Sequence, residues 1–256
     1  CTSFELPPMN AKELSGAVYY NAPQYIPLPI TETTLDWKLI EGTPGDKQSA
    51  LKIFLVAIPN QVIQDYQKVA QLAGLELYAV EAEVLGLTRA LVRENKGCIC
   101  LIDIGVQSTT INIVYKQGLK KSYSFDFAGS QLTYNIASAL GLGHLQAEEL
   151  KNTEGLTSSK EEISKTLYLL IDPLVLEVKK VLSDFYQHEG KDVDVIYLTG
   201  GTSNLPGLRE YFSEALKKKV EIPNCFSDLL YPPILGKTIE KMGPSFSVAI
   251  GVALGG

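Results

Sequence analysis

The sequence has few of the residues that build metal sites and hydrolytic centres. Its 256 residues include two histidines and four cysteines. His144 and His188 lie far apart in polar segments with a helical pattern. Because zinc sites and nucleophile–histidine pairs need such residues in clusters, the sequence argues against both kinds of centre.

Long apolar runs and basic clusters are also absent from the sequence. No apolar stretch reaches the roughly 18 residues that a membrane-spanning helix needs. The only run of three cationic residues is Lys217, Lys218 and Lys219, and the formal net charge is −6. We therefore expect no nucleic-acid or anionic-membrane surface. No signal-like segment opens the sequence, which leads us to expect a cytoplasmic protein.

Two of the cysteines lie inside a predicted strand. Cys98 and Cys100 are two residues apart, a spacing that cannot close an unstrained disulfide. We expect both to be small core residues rather than metal ligands or redox groups.

What the sequence does contain is an alternation of short strands and helices, typical of an α/β protein. Residues 1–75 follow a β-α-β-β-α pattern, with Asn10 and Asn60 as predicted helix caps. Residues 76–96 predict a short strand followed by a helix. The first 75 residues are therefore locally complete enough to form a subdomain.

From residue 97 the pattern changes to three short strands in a predicted meander. Helices follow, including a long one over about residues 160–188 that contains Pro173. A buried strand then ends at a glycine pair, and small apolar residues over 244–256 predict a close-packed final helix.

Two strand ends carry residues suited to phosphate binding. After the strand that ends at Asp103, Gly105 permits a tight reversal, and the Ser108 and Thr109 hydroxyls can donate to phosphate oxygens. Asp103 itself can orient water or a hydrated Mg²⁺. The alternative is a plain hairpin turn, which this short pattern alone does not exclude.

The second strand end is "LTGGTSNLPGL", residues 198–208. Gly200 and Gly201 leave room for a flat ring or a ribose, and Thr202 or Asn204 is a predicted cap of the next helix. The alternative is a turn that needs glycine only for its φ angles.

A third candidate pair lies on one predicted helix. Glu148 and Lys151 are three residues apart and so share a face, from which they can reach a ribose and a ring nitrogen. The alternative is a solvated salt pair on the protein surface.

The order of these features resembles the actin-like ATPase superfamily. A phosphate-type hairpin, "GSQLT" opening a helix, "AEELK", "LTGGTSNLPGL" and "FSVAIGVALGG" follow one another as in the second half of that fold. Within the superfamily, "GSQLTYNIASALG" and "TGGTSNLPGLREYFSEAL" look most like the type IV pilus assembly PilM family, which is related to the cell-division actin homologue FtsA. The resemblance covers nearly the whole chain.

The resemblance implies an actin-like (ribonuclease H-like) two-domain α/β fold with an inserted α/β subdomain. Residues 1–75 correspond to the inserted 1C-like subdomain, and 76–96 to its return into the first domain. Residues 97–256 correspond to the second domain, with a helical 2B-like part near 144–190. The family's first phosphate hairpin has no counterpart in this sequence, so we expect an incomplete first domain and leave nucleotide affinity and hydrolysis open.

The resemblance also implies the ligands: ATP with Mg²⁺, and at most a weak or regulatory ATPase activity. Asp103 is expected to contact Mg²⁺ through water, and the strand ends at Asp103 and Gly200-Gly201 are expected at opposite ends of one pocket in the domain cleft. The implied nucleotide-binding residues are Asp103, Gly105, Gln107, Ser108, Thr109, Gly129, Glu148, Lys151, Gly200, Gly201, Thr202 and Asn204.

The implied partner is the N-terminal cytoplasmic peptide of a PilN-like inner-membrane protein. Tyr20, Tyr25, Ile26 and Leu28 are candidate linings of its groove. Other pilus platform components, from the type IV pilus or a related type II secretion system, and self-association are further expectations. The protein would then act at the inner face of the inner membrane without inserting into it. The alternatives are a non-catalytic scaffold with a vestigial nucleotide site and, less favoured, a small-molecule kinase.

Overall fold

The computed structural model describes residues 2–92, 97–115 and 118–255. These residues divide into two units. The first holds residues up to Glu83 together with Gly118–Ser122, and the second holds the remainder from Val84 onwards. The boundary between Glu83 and Val84 falls inside the segment 76–96 that the resemblance assigns to the first domain.

The first unit is built on a three-stranded antiparallel sheet. Its strands are β1 (Thr2–Leu6), β2 (Thr33–Glu41) and β3 (Leu51–Pro59), in the order β1-β3-β2. The central strand, β3, supplies Leu51, Ile53 and Leu55 to the core. The alternation of these residues along β3 places them on one face, as the strand pattern predicts.

Helix α1 (Ala11–Asn21) packs on this core through Leu14 and Val18. The Asn10 side chain accepts hydrogen bonds from the amides of Lys12 and Glu13, each at 3.0 Å. The predicted cap of α1 is therefore present, and it satisfies two of the amides that a helix start leaves without partners.

The second predicted cap, Asn60, was wrong. Helix α2 (Asn60–Leu72) begins at Asn60 itself, after Pro59, and no side chain caps it. The side-chain oxygen of Asn60, Oδ1, instead accepts a hydrogen bond from the Thr34 hydroxyl at 2.8 Å. No residue of α2 is buried. The short strand predicted after residue 75 is also missing, since residues 75–82 have no regular structure.

The second sheet has five strands in the order β6-β5-β4-β7-β8. Strands β4 and β5 are antiparallel, whereas β4, β7 and β8 run parallel. The sheet is therefore mixed, as the predicted meander and later buried strand require. The strand bounds are β4 (Cys98–Ile104), β5 (Thr109–Tyr115), β6 (Gly118–Phe125), β7 (Val195–Thr199) and β8 (Val220–Glu221).

Within the described residues, six α-helices precede, separate or follow the strands of this sheet. Helix α6 runs through Pro173 without ending, and its buried residues recur every three or four positions from Ile163 to Phe185. Helix α8 begins at Gly236, before the predicted start at residue 244, and includes Pro244. The bounds are α3 (Glu83–Leu91), α4 (Gly129–Leu140), α5 (His144–Thr153), α6 (Glu161–Glu189), α7 (Leu208–Leu216) and α8 (Gly236–Ala253).

Cys98 and Cys100 are core residues, as expected. Both side chains are buried, as is that of Cys225. Burial raises the pKa of the Cys98 thiol to about 11 and also raises the pKa of Cys100. Both thiols therefore stay protonated and unreactive near neutral pH. Among the helices of the described residues, none combines the length and the apolar character needed to cross a bilayer.

Helices α3 and α8 approach closely at two glycines. A Cβ atom added at Gly251 would lie 1.8 Å from the carbonyl oxygen of Gly86. We predict that Gly251→Ala lowers the free energy of unfolding by about 1–3 kcal/mol, because the two backbones must separate. Chemical denaturation measures this loss.

The matched control is Gly16→Ala in α1, where an added Cβ meets no atom within 4 Å. That exchange removes glycine from a helix and should raise the free energy of unfolding by up to about 1 kcal/mol. Equal effects at Gly16 and Gly251 would contradict the close approach of α3 and α8.

Candidate functional site

The ends of β4 and β7 lie side by side because the two strands are parallel neighbours, with Asp103 opposite Thr199. Gly200 follows with a φ of +81°, and a Cβ there would lie 2.4 Å from the Asp103 carboxylate and 2.5 Å from the Ile104 carbonyl oxygen. Glycine is required at this position for both reasons. The expected placement of Asp103 and Gly200 at opposite ends of a pocket was therefore wrong.

The loop between β4 and β5 is closed by its own backbone and fastened to α4. The Gly105 amide donates to the Ser108 carbonyl at 2.9 Å. The Gly129 amide donates to the Gly105 carbonyl at 2.9 Å, and Ser130 donates to the Val106 carbonyl from its amide and its hydroxyl, the latter at 2.7 Å. These α4 amides are engaged by the loop, so they are not free to bind an anion.

A hydrogen-bonded network joins α4 to α5. The Lys151 ammonium donates to Thr133 Oγ1 at 2.9 Å and to the Gly129 carbonyl at 3.2 Å, and it pairs with Glu148 Oε2 at 2.8 Å. Lys151 is only 5% exposed. The predicted Glu148–Lys151 pair is formed, and its buried ammonium shows that it is not the solvated pair of the alternative interpretation.

Glu148 is the member of this network with a solvent-facing side chain. Its Oε2 also accepts the Thr133 hydroxyl, and its Oε1 accepts the Asn152 amide at 3.1 Å. Partial burial disfavours the charged carboxylate, but the hydrogen bonds from Lys151, Thr133 and Asn152 outweigh it and lower the pKa of Glu148. Glu148 is therefore ionised at neutral pH.

This network lines a pocket of about 370 Å³ within the second unit. Five of the predicted nucleotide-binding residues line it, namely Gly129, Glu148, Lys151, Gly201 and Thr202. The pocket residues that the sequence analysis missed are Val106, Ser130, Thr133, His144, Asn152 and Ser245. His144 and Asn152 lie four residues on either side of Glu148 in α5, so helical spacing could have identified them.

The remaining predicted residues lie outside the pocket lining: Asp103, Gly105, Gln107, Ser108, Thr109, Gly200 and Asn204. Gln107 and Ser108 are exposed in the loop beside it. Thr109 is fully buried and donates its hydroxyl to the Phe127 carbonyl at 2.9 Å. Its hydroxyl is therefore unsuited to the expected phosphate contact.

The predicted capping role of Thr202 and Asn204 was also wrong. Helix α7 begins at Leu208 after Gly207, and no side chain caps it. The Asn204 amide instead donates to the Lys241 carbonyl in α8 at 2.8 Å. Asn204 thus ties the turn that follows β7 to α8.

A second pocket, of about 270 Å³, lies within the first unit. Three of the predicted peptide-binding residues, Tyr25, Ile26 and Leu28, line it together with Pro27 and residues of β1 and β3. The Tyr25 ring stacks on Phe4 with a centroid distance of 4.5 Å. The fourth predicted residue, Tyr20, is 81% exposed and does not line this pocket.

The described side chains form no cluster suited to holding a metal ion. Within residues 2–92, 97–115 and 118–255, no group of three or more His, Cys, Asp or Glu side chains could hold a metal ion. Mg²⁺ in nucleotide sites is held by one or two carboxylates together with phosphates and water. The expected water-mediated role of Asp103 therefore stays a prediction.

Comparisons with known proteins give consistent matches. The family model described as type IV pilus assembly protein PilM matches residues 7–256. Cell division protein FtsA of Staphylococcus epidermidis is 24% identical, and the match covers 66% of this chain and 41% of that protein. The chain thus spans less than half the length of this curated relative.

Among solved structures, the PilM-PilN type IV pilus biogenesis complex contains a chain 26% identical to this one. The TM-score is 0.84, with 98% of this chain and 74% of that chain covered. MreB 5 of Spiroplasma citri bound to AMPPNP is 18% identical with a TM-score of 0.55, covering 77% of this chain and 64% of that one. These neighbours confirm the predicted actin-like fold.

The pKa of the Glu148 carboxyl depends on its partners in the network. We predict that Lys151→Met raises the pKa of Glu148, because a hydrogen-bond donor and the paired positive charge are both lost. Carboxyl-carbon NMR titration measures the pKa. The control is Lys165→Met, which removes an exposed lysine paired with Glu161 and should leave the Glu148 titration unchanged.

The lowered pKa of Glu148 also predicts how the stability of the fold depends on pH. Because the folded-state pKa of Glu148 lies below its ordinary value of 4.5, the network stabilises the fold above that pH. The contribution is lost as the pH falls through the folded-state pKa. Lys151→Met should therefore remove a stabilisation that exists at pH 7, and an unchanged Glu148 titration in this variant would contradict the network.

Proposed function

Because this chain belongs to the type IV pilus assembly protein PilM family, we propose that it is a nucleotide-binding component of a pilus assembly platform. In this proposal it binds ATP with Mg²⁺ in the second unit and a peptide of a PilN-like inner-membrane protein in the first. The main support for nucleotide binding is that the Glu148 network, Gly201 and Thr202 line one pocket together.

The chemistry of the pocket fits a nucleoside. Glu148 offers a carboxylate, held ionised, that can accept a hydrogen bond from a ribose hydroxyl. At Gly201 an added Cβ would already lie 3.3 Å from the Ser245 hydroxyl, so the absence of a side chain leaves space beside the backbone. A flat ring against Gly201 and Thr202 is consistent with that space.

The β4–β5 loop is the proposed phosphate contact. Gln107 and Ser108 are exposed there, and Gly105 gives the loop its tight closure. Backbone amides of such a loop can surround phosphate oxygens, and Asp103 at the end of β4 can orient a hydrated Mg²⁺. The MreB neighbour was solved with AMPPNP, which supports a nucleotide ligand for this fold.

We propose at most a weak or regulatory ATPase activity. The pocket lining contains a single carboxylate, Glu148, and its two oxygens already accept three hydrogen bonds. A carboxylate so engaged and with a lowered pKa is a poor general base for activating water. Binding of nucleotide, rather than rapid turnover, is the proposed role of the site.

The apolar pocket of the first unit is the proposed peptide site. Tyr25 and Leu28 are each 42% exposed, so an incoming side chain can reach them. An extended peptide that places an apolar residue between them would bury their exposed surface. The solved PilM-PilN complex supports a PilN-like partner of this kind. Through that partner a cytoplasmic protein would be held at the inner face of the inner membrane, beside other platform components.

The nucleotide site is tested by adding a side chain to it. We predict that Gly201→Val weakens binding of a fluorescent ATP analogue with Mg²⁺ at least about ten-fold, because the branched side chain occupies the space beside Ser245. Fluorescence titration of the full chain measures the dissociation constant.

The control for Gly201 is Gly236→Val at the start of α8, where an added Cβ meets no atom within 4 Å. It should leave the affinity unchanged. If the parent protein binds no nucleotide, the site is vestigial and the scaffold alternative replaces the nucleotide proposal. If Gly201→Val binds as tightly as the parent, the nucleotide lies elsewhere.

The peptide site is tested by charging its lining. We predict that Leu28→Asp weakens binding of the synthetic N-terminal tail of a PilN-like protein from the same organism at least about ten-fold, because a carboxylate would be buried against apolar side chains. Fluorescence anisotropy of a labelled peptide measures the affinity.

The matched control is Leu230→Asp, which makes the same exchange at a fully exposed residue outside this pocket. It should bind the peptide as the parent protein does. Equal losses in the two variants would point to a non-specific charge effect and would count against the pocket.

A further inference from the structure

Strand β2 forms one edge of the sheet in the first unit. The strand order is β1-β3-β2, and within the described residues β2 pairs with β3 alone. The other side of β2 therefore carries a row of backbone groups that no strand of those residues engages. An edge of this kind can pair with a further strand, and the residues along it decide which strand it accepts.

One amide of the open edge can be identified. The Trp37 amide donates a hydrogen bond to Oδ1 of the neighbouring Asp36 side chain at 2.8 Å. An amide engaged in the ladder with β3 would not need this acceptor, so the Trp37 amide belongs to the open edge. Because backbone groups alternate between the two sides of a strand, Leu35 and Leu39 direct theirs to the same edge. The register of the ladder shifts between Leu39 and Glu41, which ends this regular row.

The side chains of β2 alternate between the two faces of the sheet. Leu35, Trp37 and Leu39 pack against the core of the first unit. Asp36 and Lys38 lie on the other face and are exposed. Trp37 is therefore flanked by a carboxylate on one side and an ammonium on the other. Opposite charges placed symmetrically about a central residue make a strand complementary to itself in an antiparallel pair.

We propose that β2 pairs in antiparallel orientation with the β2 strand of a second copy of this chain, with the two Trp37 residues facing each other across a two-fold axis. Asp36 of each copy then lies directly opposite Lys38 of the other. The outward backbone groups of Trp37, Leu35 and Leu39 form the hydrogen-bonded pairs. Asp36 and Lys38 form the non-hydrogen-bonded pairs, in which side chains approach most closely.

This pairing produces a closed dimer. The two sheets join in the order β1-β3-β2-β2-β3-β1, so both β2 edges are used and only β1 is left at each end. A surface that pairs with itself about a two-fold axis closes after two copies. Because only the short stretch from Leu35 to Leu39 pairs regularly, we expect a weak dimer that dissociates on dilution. The inference stands apart from the proposed nucleotide and peptide sites.

The sequence supplies a spectroscopic probe of this contact, since Trp37 is its only tryptophan. Analytical ultracentrifugation of the full chain should show an equilibrium between monomer and dimer. Tryptophan emission should shift to shorter wavelength over the same concentration range, because the indole ring loses contact with water. A monomer up to the solubility limit, or a dimer that forms without any change in emission, would overturn the proposal.

Charge reversal tests the register. Asp36→Lys and Lys38→Asp each turn both opposite-charge pairs into like-charge pairs, so each variant alone should dimerise at least about ten-fold more weakly than the parent. Mixed together, the two variants should form a heterodimer, because every facing pair is then of opposite charge. The double variant Asp36→Lys/Lys38→Asp should likewise recover dimerisation. Absence of recovery in both experiments would refute the register.

The matched control is Asp46→Lys in the loop between β2 and β3. Asp46 is also exposed, and its Oδ1 accepts a neighbouring backbone amide, that of Gln48, at 2.9 Å. The exchange makes the same change of charge away from the edge, so it should leave dimerisation unchanged. Equal weakening by Asp46→Lys and Asp36→Lys would reveal a general charge effect and contradict the proposal. If the parent is monomeric and Asp36→Lys instead weakens binding of the PilN-like tail, the edge accepts that peptide and self-pairing is refuted.

Discussion

The buried ammonium of Lys151 is the constraint on which the candidate site depends. Lys151 is only 5% exposed, and a charged group buried in this way is tolerated only with an ion-pair partner and an acceptor for each of its hydrogens. All of its acceptors come from α4 and α5, which both line the pocket. Removing the Glu148 carboxylate would leave the ammonium buried without its counter-charge, which is destabilising. The requirement to satisfy this ammonium therefore fixes how α4 and α5 meet, and with them the orientation of Glu148.

The parallel pairing of β4 with β7 is the second constraint, because it brings two strand ends that are nearly 100 residues apart to one edge of the sheet. The Thr199 hydroxyl and the Gly200 amide then both donate to the Pro244 carbonyl of α8 at 3.1 Å. A proline within a helix donates no amide, but its own carbonyl remains available. Those bonds place α8, and hence Ser245, beside Gly201.

Local patterns in the sequence predicted helices and strands, and they predicted the Glu148–Lys151 pair of the network. The spacing of Glu148 and Lys151 places both side chains on one helical face, and structure adds only their burial. Thr133 and Ser245 could not be found in this way, because their roles depend on helices that meet through long-range packing. Thr109 was predicted to contact phosphate, but its side chain is fully buried. As the first residue of β5 it points into the core, a strand register that the sequence leaves open.

Gly200 and Gly201 show why each residue of a sequence motif has to be interpreted separately. The sequence allowed two explanations for Gly200 and Gly201, a φ requirement and a ligand requirement. Gly200 has a φ of +81°, and a Cβ added there would lie 2.4 Å from the Asp103 carboxylate, so backbone geometry and packing account for it fully. Gly201 has no such φ, and an added Cβ would meet only the Ser245 hydroxyl, at 3.3 Å. Neither backbone strain nor core packing requires glycine there. The space it leaves opens into the pocket that Glu148 lines, so Gly201 is the half of the pair for which a ligand is the better physical explanation.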